Sequence, residues 1–204
     1  DGSYLEDQDM WRLSGIFRPV ELWVRPLVHL RDYSINSCLS DDFKSAQVGA
    51  TVWIRNKSGR KMKNLHVELA LSGSDCTGKP VYLVIKEGLG AVEALSEQKV
   101  SFSGLMNNPA LWSAEKPNLY QATLSLYHGR EVLEMLSCNL GVRKIEIDGE
   151  IFKINGKAIK LMGVNRHEHH PRTGRFVDRE TLEKDLQLMK QANINAVRTA
   201  HYPD

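Results

Sequence analysis

The middle of the chain contains short segments in which apolar and polar residues alternate, most clearly over 48–54 and 67–71. A period of two residues is the pattern of a half-buried β-strand. It predicts seven strands: Leu30–Ser37, Gln47–Asn56, Leu65–Ser72, Pro80–Ile85, Glu97–Leu105, Tyr120–His128 and Glu131–Leu140. Turn sequences such as Lys57-Ser58-Gly59 and Asn107-Asn108-Pro109 separate them. Seven short strands within 28–143 predict a mainly β fold, an immunoglobulin-like β-sandwich in architecture only, because no Cys…Trp…Cys signature can be assigned.

The segment before the sandwich contains a further strand-like run, Val20–Val24, which ends at Arg25-Pro26. Its alternation predicts one inward apolar face. A single strand has no sheet to complete, so we expect it either to belong to another domain or to lie against the sandwich.

The hydrophobic period changes after residue 143. The predicted elements are a hairpin (Ile145–Gly149 and Ile151–Gly156), a buried strand (Ile159–Val164), a helix and a second strand (Ile194–Arg198). Asp178 can cap the helix, and Leu182, Leu186 and Met189 are spaced to share one helix face. A strand–helix–strand unit of this kind places its two strands parallel.

Composition and charge narrow the possible functions. The 27 Lys and Arg nearly balance the 25 Asp and Glu, which indicates neither nucleic-acid nor anionic-membrane binding. No apolar run approaches the ~18–20 residues of a membrane span. Cys38, Cys76 and Cys138 form no CxxC pair, so free thiols in the cytoplasm are expected, with a Cys38–Cys138 disulfide left open.

Polar residues cluster where the two parallel strands are predicted to end. The first strand is followed by Asn165, Arg166, His167, Glu168, His169 and His170, and the second by Arg198 and His201. Active sites of parallel α/β folds lie beyond the carboxyl ends of the strands. Imidazole and guanidinium groups there suit a polyhydroxylated ligand, because they offer several hydrogen bonds in fixed directions.

Other readings of this cluster remain open. His169 and His170 could equally bond loop backbone. Glu168 with the histidines could offer zinc ligands, but the HExxH spacing is missing. Near the start of the chain, Asp7 and Asp9 precede Met10-Trp11 and could hold a sugar or a hard cation, or only cap a turn.

Four sequence blocks, in order, resemble family 2 glycoside hydrolases, and together they span nearly the whole chain. They are Ser3–Arg18, Leu111–Tyr120, Gly163–Pro171 and Val197–Pro203. The resemblance implies the C-terminal tail of a jelly-roll sugar-binding domain at 1–27, the immunoglobulin-like sandwich at 28–143, and the start of a (β/α)₈ catalytic barrel at 144–204. It therefore implies an internal fragment of a longer enzyme.

The resemblance also implies an activity, the retaining hydrolysis of terminal β-D-galactose residues from lactose-type substrates. By the same resemblance, Asp9 binds galactose and a sodium ion, His167 and His201 contact the galactosyl group, and Arg198 supports the nucleophile. Asn165 belongs to the same substrate-binding block. Glu168 is not the family's catalytic acid, and both catalytic glutamates are expected beyond residue 204.

The fragment itself is therefore expected to be inactive and to hold no cofactor. For the full-length protein the resemblance implies sodium, magnesium, a β-galactoside ligand and a homo-oligomer, with no nucleic acid or membrane partner. A second hypothesis is an independent sandwich that binds sugars or a protein partner. Saturable binding of galactose by this chain would favour that second hypothesis.

Overall fold

The alternating segments of the chain form seven antiparallel strands in two sheets. The computed structural model describes residues 15–200. The strands are β1 (Val28–Leu39), β2 (Ser45–Asn56), β3 (Met62–Ser74), β4 (Pro80–Val92), β5 (Glu97–Asn107), β6 (Tyr120–His128) and β7 (Glu131–Leu140). One sheet has the order β1-β2-β5 and the other the order β4-β3-β6-β7. A sandwich of three and four antiparallel strands is the arrangement of immunoglobulin-like domains.

The core lies between the inner faces of these sheets. Alternate residues of β2, β3 and β6 are almost fully buried there, namely Val48, Val52, Ile54, Val67, Leu69, Leu71, Leu124 and Leu126. Each side chain of this size contributes about 1.5–3 kcal/mol when it leaves water completely. The two-residue period therefore places the apolar side chains whose burial drives folding on one face of each strand.

Tyr120 ties the sandwich core to two loops. Its hydroxyl donates to the carbonyl of Ser74 and accepts from the backbone N–H of Ala110, both at 2.7 Å. Burial raises the pKa of this phenol above its ordinary value, so the hydroxyl stays protonated. A Cβ on Gly73 would lie only 2.6 Å from the Tyr120 ring, so the ring requires glycine at that position.

Asn56 is a buried polar residue at the end of β2. Its side-chain amide donates to the carbonyls of Arg60, Val92 and Glu93 at 2.8–3.2 Å, and its carbonyl accepts from Ser58. The side chain thereby satisfies backbone groups at the ends of β2 and β4 that would otherwise be buried without partners.

The seven predicted strands are confirmed, with differences at their ends. The largest difference is in β4, which continues to Val92 rather than ending at Ile85. Its glycines interrupt the apolar pattern, and the register between β3 and β4 shifts where Gly90 adopts a φ of +65°. Pairing to β3 therefore extends past the point where the hydrophobic signal stops. The three cysteines are free thiols.

The predicted hairpin after the sandwich is also confirmed. It consists of β8 (Ile145–Asp148) and β9 (Ile151–Ile154), and a short strand β10 (Lys157–Ala158) adds to it. The Asn155 side chain accepts from the backbone N–H of Lys144 and donates to the carbonyl of Trp112. These bonds hold the hairpin to the sandwich, and both belong to the compact unit Val24–Ile159.

A second compact unit contains the described residues before Val24 and after Ile159. Its elements are β11 (Gly163–Arg166), α1 (Arg179–Gln191) and β12 (Ala196–Thr199), and β11 and β12 are parallel as predicted. Asp178 caps α1 by accepting from the Thr181 N–H at 2.8 Å. Hydrogen bonding from the Thr181 hydroxyl and then from its backbone N–H holds the pKa of the Asp178 carboxyl below its ordinary value.

One expectation for the second unit is wrong in detail, and the predicted apolar face of α1 is only partly covered. The strand predicted at Ile159–Val164 begins at Gly163 instead, and Leu161 and Met162 before it are exposed. On α1, Leu186 is 54% exposed, while Leu182 and Met189 are half-buried. Two parallel strands and one helix cannot enclose an apolar face, so these hydrophobic residues stay in contact with water.

The strand predicted at Val20–Val24 is wrong. The segment is not paired in any sheet, and Val20, Leu22 and Val24 are 83%, 93% and 90% exposed. Alternation indicates a strand only where a neighbouring strand offers its backbone groups, and no described strand does so here. The one described helix, α1, is neither long nor apolar enough to cross a membrane.

Candidate functional site

The parallel register of β11 and β12 brings two predicted substrate-binding residues together. Asn165 lies opposite Arg198, and Arg166 lies opposite Thr199. Residues opposite each other in a sheet point to the same face. The Arg198 guanidinium accordingly donates to Asn165 Oδ1 at 3.4 Å, and both side chains are exposed. The amide oxygen of Asn165, an acceptor, and the planar guanidinium of Arg198, a donor, thus lie side by side at the carboxyl ends of the two strands.

His167 extends this polar edge beyond the end of β11. Its side chain is exposed, and its backbone carbonyl accepts from the His169 N–H at 3.0 Å, which turns the chain sharply after the strand. Beyond β12, the backbone N–H of Ala200 donates to the Arg166 carbonyl at 2.8 Å, so the two strand ends stay joined. His167, Asn165 and Arg198 therefore belong to one edge of the sheet.

Arg166 points to the opposite face and holds the strand to the helix. Its side chain is only 11% exposed, donating to Asp185 on α1 at 2.9 Å and to Glu168 at 2.5 Å. Sequence reasoning missed the role of Asp185. The available signal was its place between Leu182 and Met189, where a carboxylate on the apolar stripe of a helix requires a cationic partner.

His170 organises the loop rather than the strand edge. The backbone N–H groups of Arg172 and Thr173 point to its Nδ1 at 3.2 and 3.3 Å, so Nδ1 is the acceptor nitrogen of the ring. The backbones of His170 and Gly174 also exchange two hydrogen bonds, at 2.7 and 2.9 Å. The alternative that His170 bonds loop backbone is therefore the one that the structure supports.

Two predicted site residues, Asp9 and His201, lie outside the described residues, as does Asp7. The proposed sodium ligand, Asp9, is thus not located. Among residues 15–200, no group of three or more His, Cys, Asp or Glu side chains is arranged to hold a metal ion. The zinc alternative at Glu168 and its neighbouring histidines consequently has no supporting geometry, and the Glu168 carboxylate is bound to Arg166 instead.

The fold and the polar strand ends together define a class of protein. A β-sandwich followed by a strand–helix–parallel strand unit, with hydrogen-bonding side chains at the carboxyl ends of its strands, is typical of enzymes whose barrel follows an accessory domain. The family model described as "Glycosyl hydrolases family 2" matches residues 28–143, and the model of that family's TIM barrel domain matches residues 145–204. The chain belongs to glycosyl hydrolase family 2.

Curated relatives include β-galactosidases of Yersinia pestis bv. Antiqua and of Yersinia pseudotuberculosis. Each is 41% identical to this chain over 220 aligned residues, and the alignment covers 100% of the chain. The chain covers 20% of the length of each relative. It therefore corresponds to about a fifth of those proteins.

Solved structures of the family share the fold. A β-glycosidase from Bacteroides vulgatus superimposes with a TM-score of 0.74 at 26% identity, over 93% of this chain and 23% of that one. A family 2 β-galacturonidase from Eisenbergiella tayi gives a TM-score of 0.72 at 26% identity, over 88% and 30%. A β-glucuronidase from Parabacteroides merdae gives 0.69 at 23% identity, over 88% and 21%, a likeness of fold alone.

Proposed function

We propose that this chain is an internal segment of a β-galactosidase that removes terminal non-reducing β-D-galactose from lactose-type substrates. The observation that carries the proposal is the pairing of Asn165 with Arg198 at the adjoining ends of β11 and β12, the edge where barrel enzymes bind substrate. The choice of galactose rests on the 41% identity to β-galactosidases along the whole chain.

The proposed domain organisation follows from the same family membership. Residues 1–27 end a jelly-roll sugar-binding domain, 28–143 form a structural sandwich, and 144–204 begin the catalytic barrel. The buried apolar faces of the sandwich and its satisfied polar groups support a structural role for it. The three free thiols suit a reducing compartment, and we propose the cytoplasm.

In the full-length enzyme we propose distinct roles for the strand-end residues. His167 and His201 contact galactose hydroxyls, because an imidazole can donate from one nitrogen and accept at the other. Arg198 stabilises the nucleophilic carboxylate, and its contact with Asn165 fixes the direction of its guanidinium. Asp9 binds galactose and a sodium ion, and magnesium is held by later residues of a homo-oligomeric enzyme.

The proposed mechanism is retaining. One glutamate protonates the leaving oxygen, and a second, about 5 Å away, forms a covalent galactosyl-enzyme that water then hydrolyses. Both glutamates would come from later barrel strands, so the chain alone lacks the chemical groups for either step. Glu168 is unsuited to the acid role because its side chain is already paired with Arg166 and is largely buried.

The test compares this chain with the full-length protein on a chromogenic β-galactoside. We expect turnover by the full-length protein only, with the β-anomer of galactose as the first product in proton NMR. Turnover by this chain that survives repurification would contradict the proposed location of the glutamates. A full-length protein that prefers β-glucuronides or β-galacturonides would contradict the proposed substrate.

A further inference from the structure

A cleft in the second compact unit has no role in the proposed reaction. Among the described residues, 15–19 form one wall and 172–176 the other, and the open cleft between them has a volume of about 800 Å³. Arg18, Arg172 and Arg175 are among the lining residues, and none of the lining residues within 15–200 is acidic. The described part of the cleft surface therefore carries three guanidinium groups in a chain whose total charge is nearly balanced.

The second wall is a tight, well-braced turn. The His170 ring and backbone bind the turn from one side, as described above, and Gly174 completes it with a φ of +65° that favours glycine. The hydroxyl of Thr173 donates to the Phe176 carbonyl at 2.5 Å. Because these bonds fix the backbone, Arg172 and Arg175 project from a defined position.

Two of the lining arginines, Arg172 and Arg175, keep their hydrogen-bonding groups available. The Arg175 guanidinium stacks on the Phe17 ring, 4.8 Å from the centroid, and Arg18 lies 5.7 Å from the same ring. No carboxylate of residues 15–200 pairs with Arg172 or Arg175. Stacking orients a planar guanidinium while leaving its N–H edge free to bind an anion through two hydrogen bonds.

The position and lining of the cleft indicate what carries the anion. The turn belongs to the loop directly after β11, whose carboxyl end is the substrate edge under the proposed function. Phe176, which also lines the cleft, is 49% exposed and offers a face for the C–H side of a sugar ring. A volume of about 800 Å³ also exceeds what a small inorganic anion fills.

We infer that this arginine cleft is a subsite for an anionic sugar, one carrying a carboxylate or sulfate group. The inference rests on the proposed function, because it assigns the cleft to the substrate edge of a glycosidase. The cleft would bind a charged substituent of the substrate or a charged sugar next to the galactose. The galactosyl bond itself would still be cleaved by the groups described under the proposed function.

The test is calorimetric titration of this chain with galacturonate and galactose 6-sulfate, alongside galactose, acetate and inorganic sulfate. We expect saturable binding of the two anionic sugars that weakens as salt is raised, and none of neutral galactose. Replacing Arg172→Gln and Arg175→Gln together should weaken binding about tenfold or more, the loss expected for charge-assisted hydrogen bonds.

Arg179→Gln is the matched control, because that arginine is 91% exposed, lies outside the cleft and is paired with Glu183. It should leave the affinity unchanged. Thermal melts and NMR spectra of each variant establish that the fold is retained, and ligand-induced NMR shifts should fall on residues 16–18 and 172–176.

Several results would overturn the inference. They are an absence of binding by any anionic sugar, equal binding of acetate or inorganic sulfate, or affinity that the double variant retains. Hydrolysis of a neutral β-galactoside by the full-length protein is measured separately. If the titration fails while that activity is present, only the inference about the cleft is refuted. If the activity is absent, the proposed function is refuted.

Discussion

Asn165 Oδ1 accepts a hydrogen bond from Arg198 Nη1 at 3.4 Å, and the two residues are register partners in the parallel strands β11 and β12. The residues are 33 positions apart in sequence, and only the strand–helix–strand crossover joins them. The contact sets the direction of a guanidinium at the proposed substrate edge. Its loss should therefore affect catalysis more than folding.

The first prediction concerns this pair in the full-length enzyme. Asn165→Ala and Arg198→Ala should each lower kcat/KM for a chromogenic β-galactoside by about ten- to a hundredfold, because each removes a hydrogen bond to or beside a charged group. If the residues act as a unit, the double variant should lose less than the product of the single losses. Independent, multiplicative losses would show that the contact has no functional role.

His167→Ala and His201→Ala should also lower kcat/KM in the full-length enzyme, since both imidazoles are proposed to contact the galactosyl group. His170→Ala provides a contrast, because its ring is engaged with the loop backbone. Its main effect should be on the loop, seen as faster amide exchange at residues 172–174. Unchanged kinetics in both His167 and His201 variants would leave these residues with structural roles only.

The third prediction concerns the buried hydroxyl of Tyr120. Tyr120→Phe keeps the ring that fills the space against Gly73 but leaves the Ser74 carbonyl and the Ala110 N–H without their partner. We expect a loss of about 1–3 kcal/mol in the free energy of unfolding, measured by urea denaturation. Tyr82→Phe is the control, since that tyrosine is 72% exposed and should change stability very little.

The fourth prediction concerns Asn56, which satisfies three backbone carbonyls from inside the sandwich. Asn56→Ala should destabilise the sandwich by about 2–3 kcal/mol, because it creates a small void and leaves buried polar groups without hydrogen-bond partners. Asn36→Ala, at an exposed site on β1, tests whether any asparagine on these strands would give the same result. Equal losses in the two variants would contradict the argument from burial.

The fifth prediction is the pH dependence of helix α1. The pKa of Asp178 is lowered in the folded state by the hydroxyl and backbone N–H of Thr181, so the carboxylate favours folding above its unfolded pKa of about 3.9. That contribution should be constant near neutral pH and disappear as the pH falls through the lower folded value. Amide exchange on α1 should then become faster.

Two substitutions separate the cap from the charge. Asp178→Ala should speed exchange on α1 at every pH, whereas Asp178→Asn keeps a capping oxygen and should remove only the pH dependence. An unaltered pH profile in the Asn variant would assign the effect to another carboxylate.

The sandwich was largely predictable from sequence because its signal is local and repeated. Each of the seven strands carries its own alternation, and the turn residues between them restrict the backbone independently of the rest of the chain. The cap at Asp178 was predictable for the same reason, since it depends on a contact three residues away. Prediction failed at Val20–Val24, where the alternation is present but no described strand lies beside it.

The sequence by itself determined the two periodicities, the parallel strand–helix–strand unit and the set of polar residues at its strand ends. Only the tertiary structure decided which of these residues meet: Asn165 with Arg198 on one face, and Arg166 with Glu168 and Asp185 on the other. The reason is physical. Periodicity records which side of an element avoids water, whereas a contact across 19 or 33 residues depends on register, which only the packing of the elements fixes.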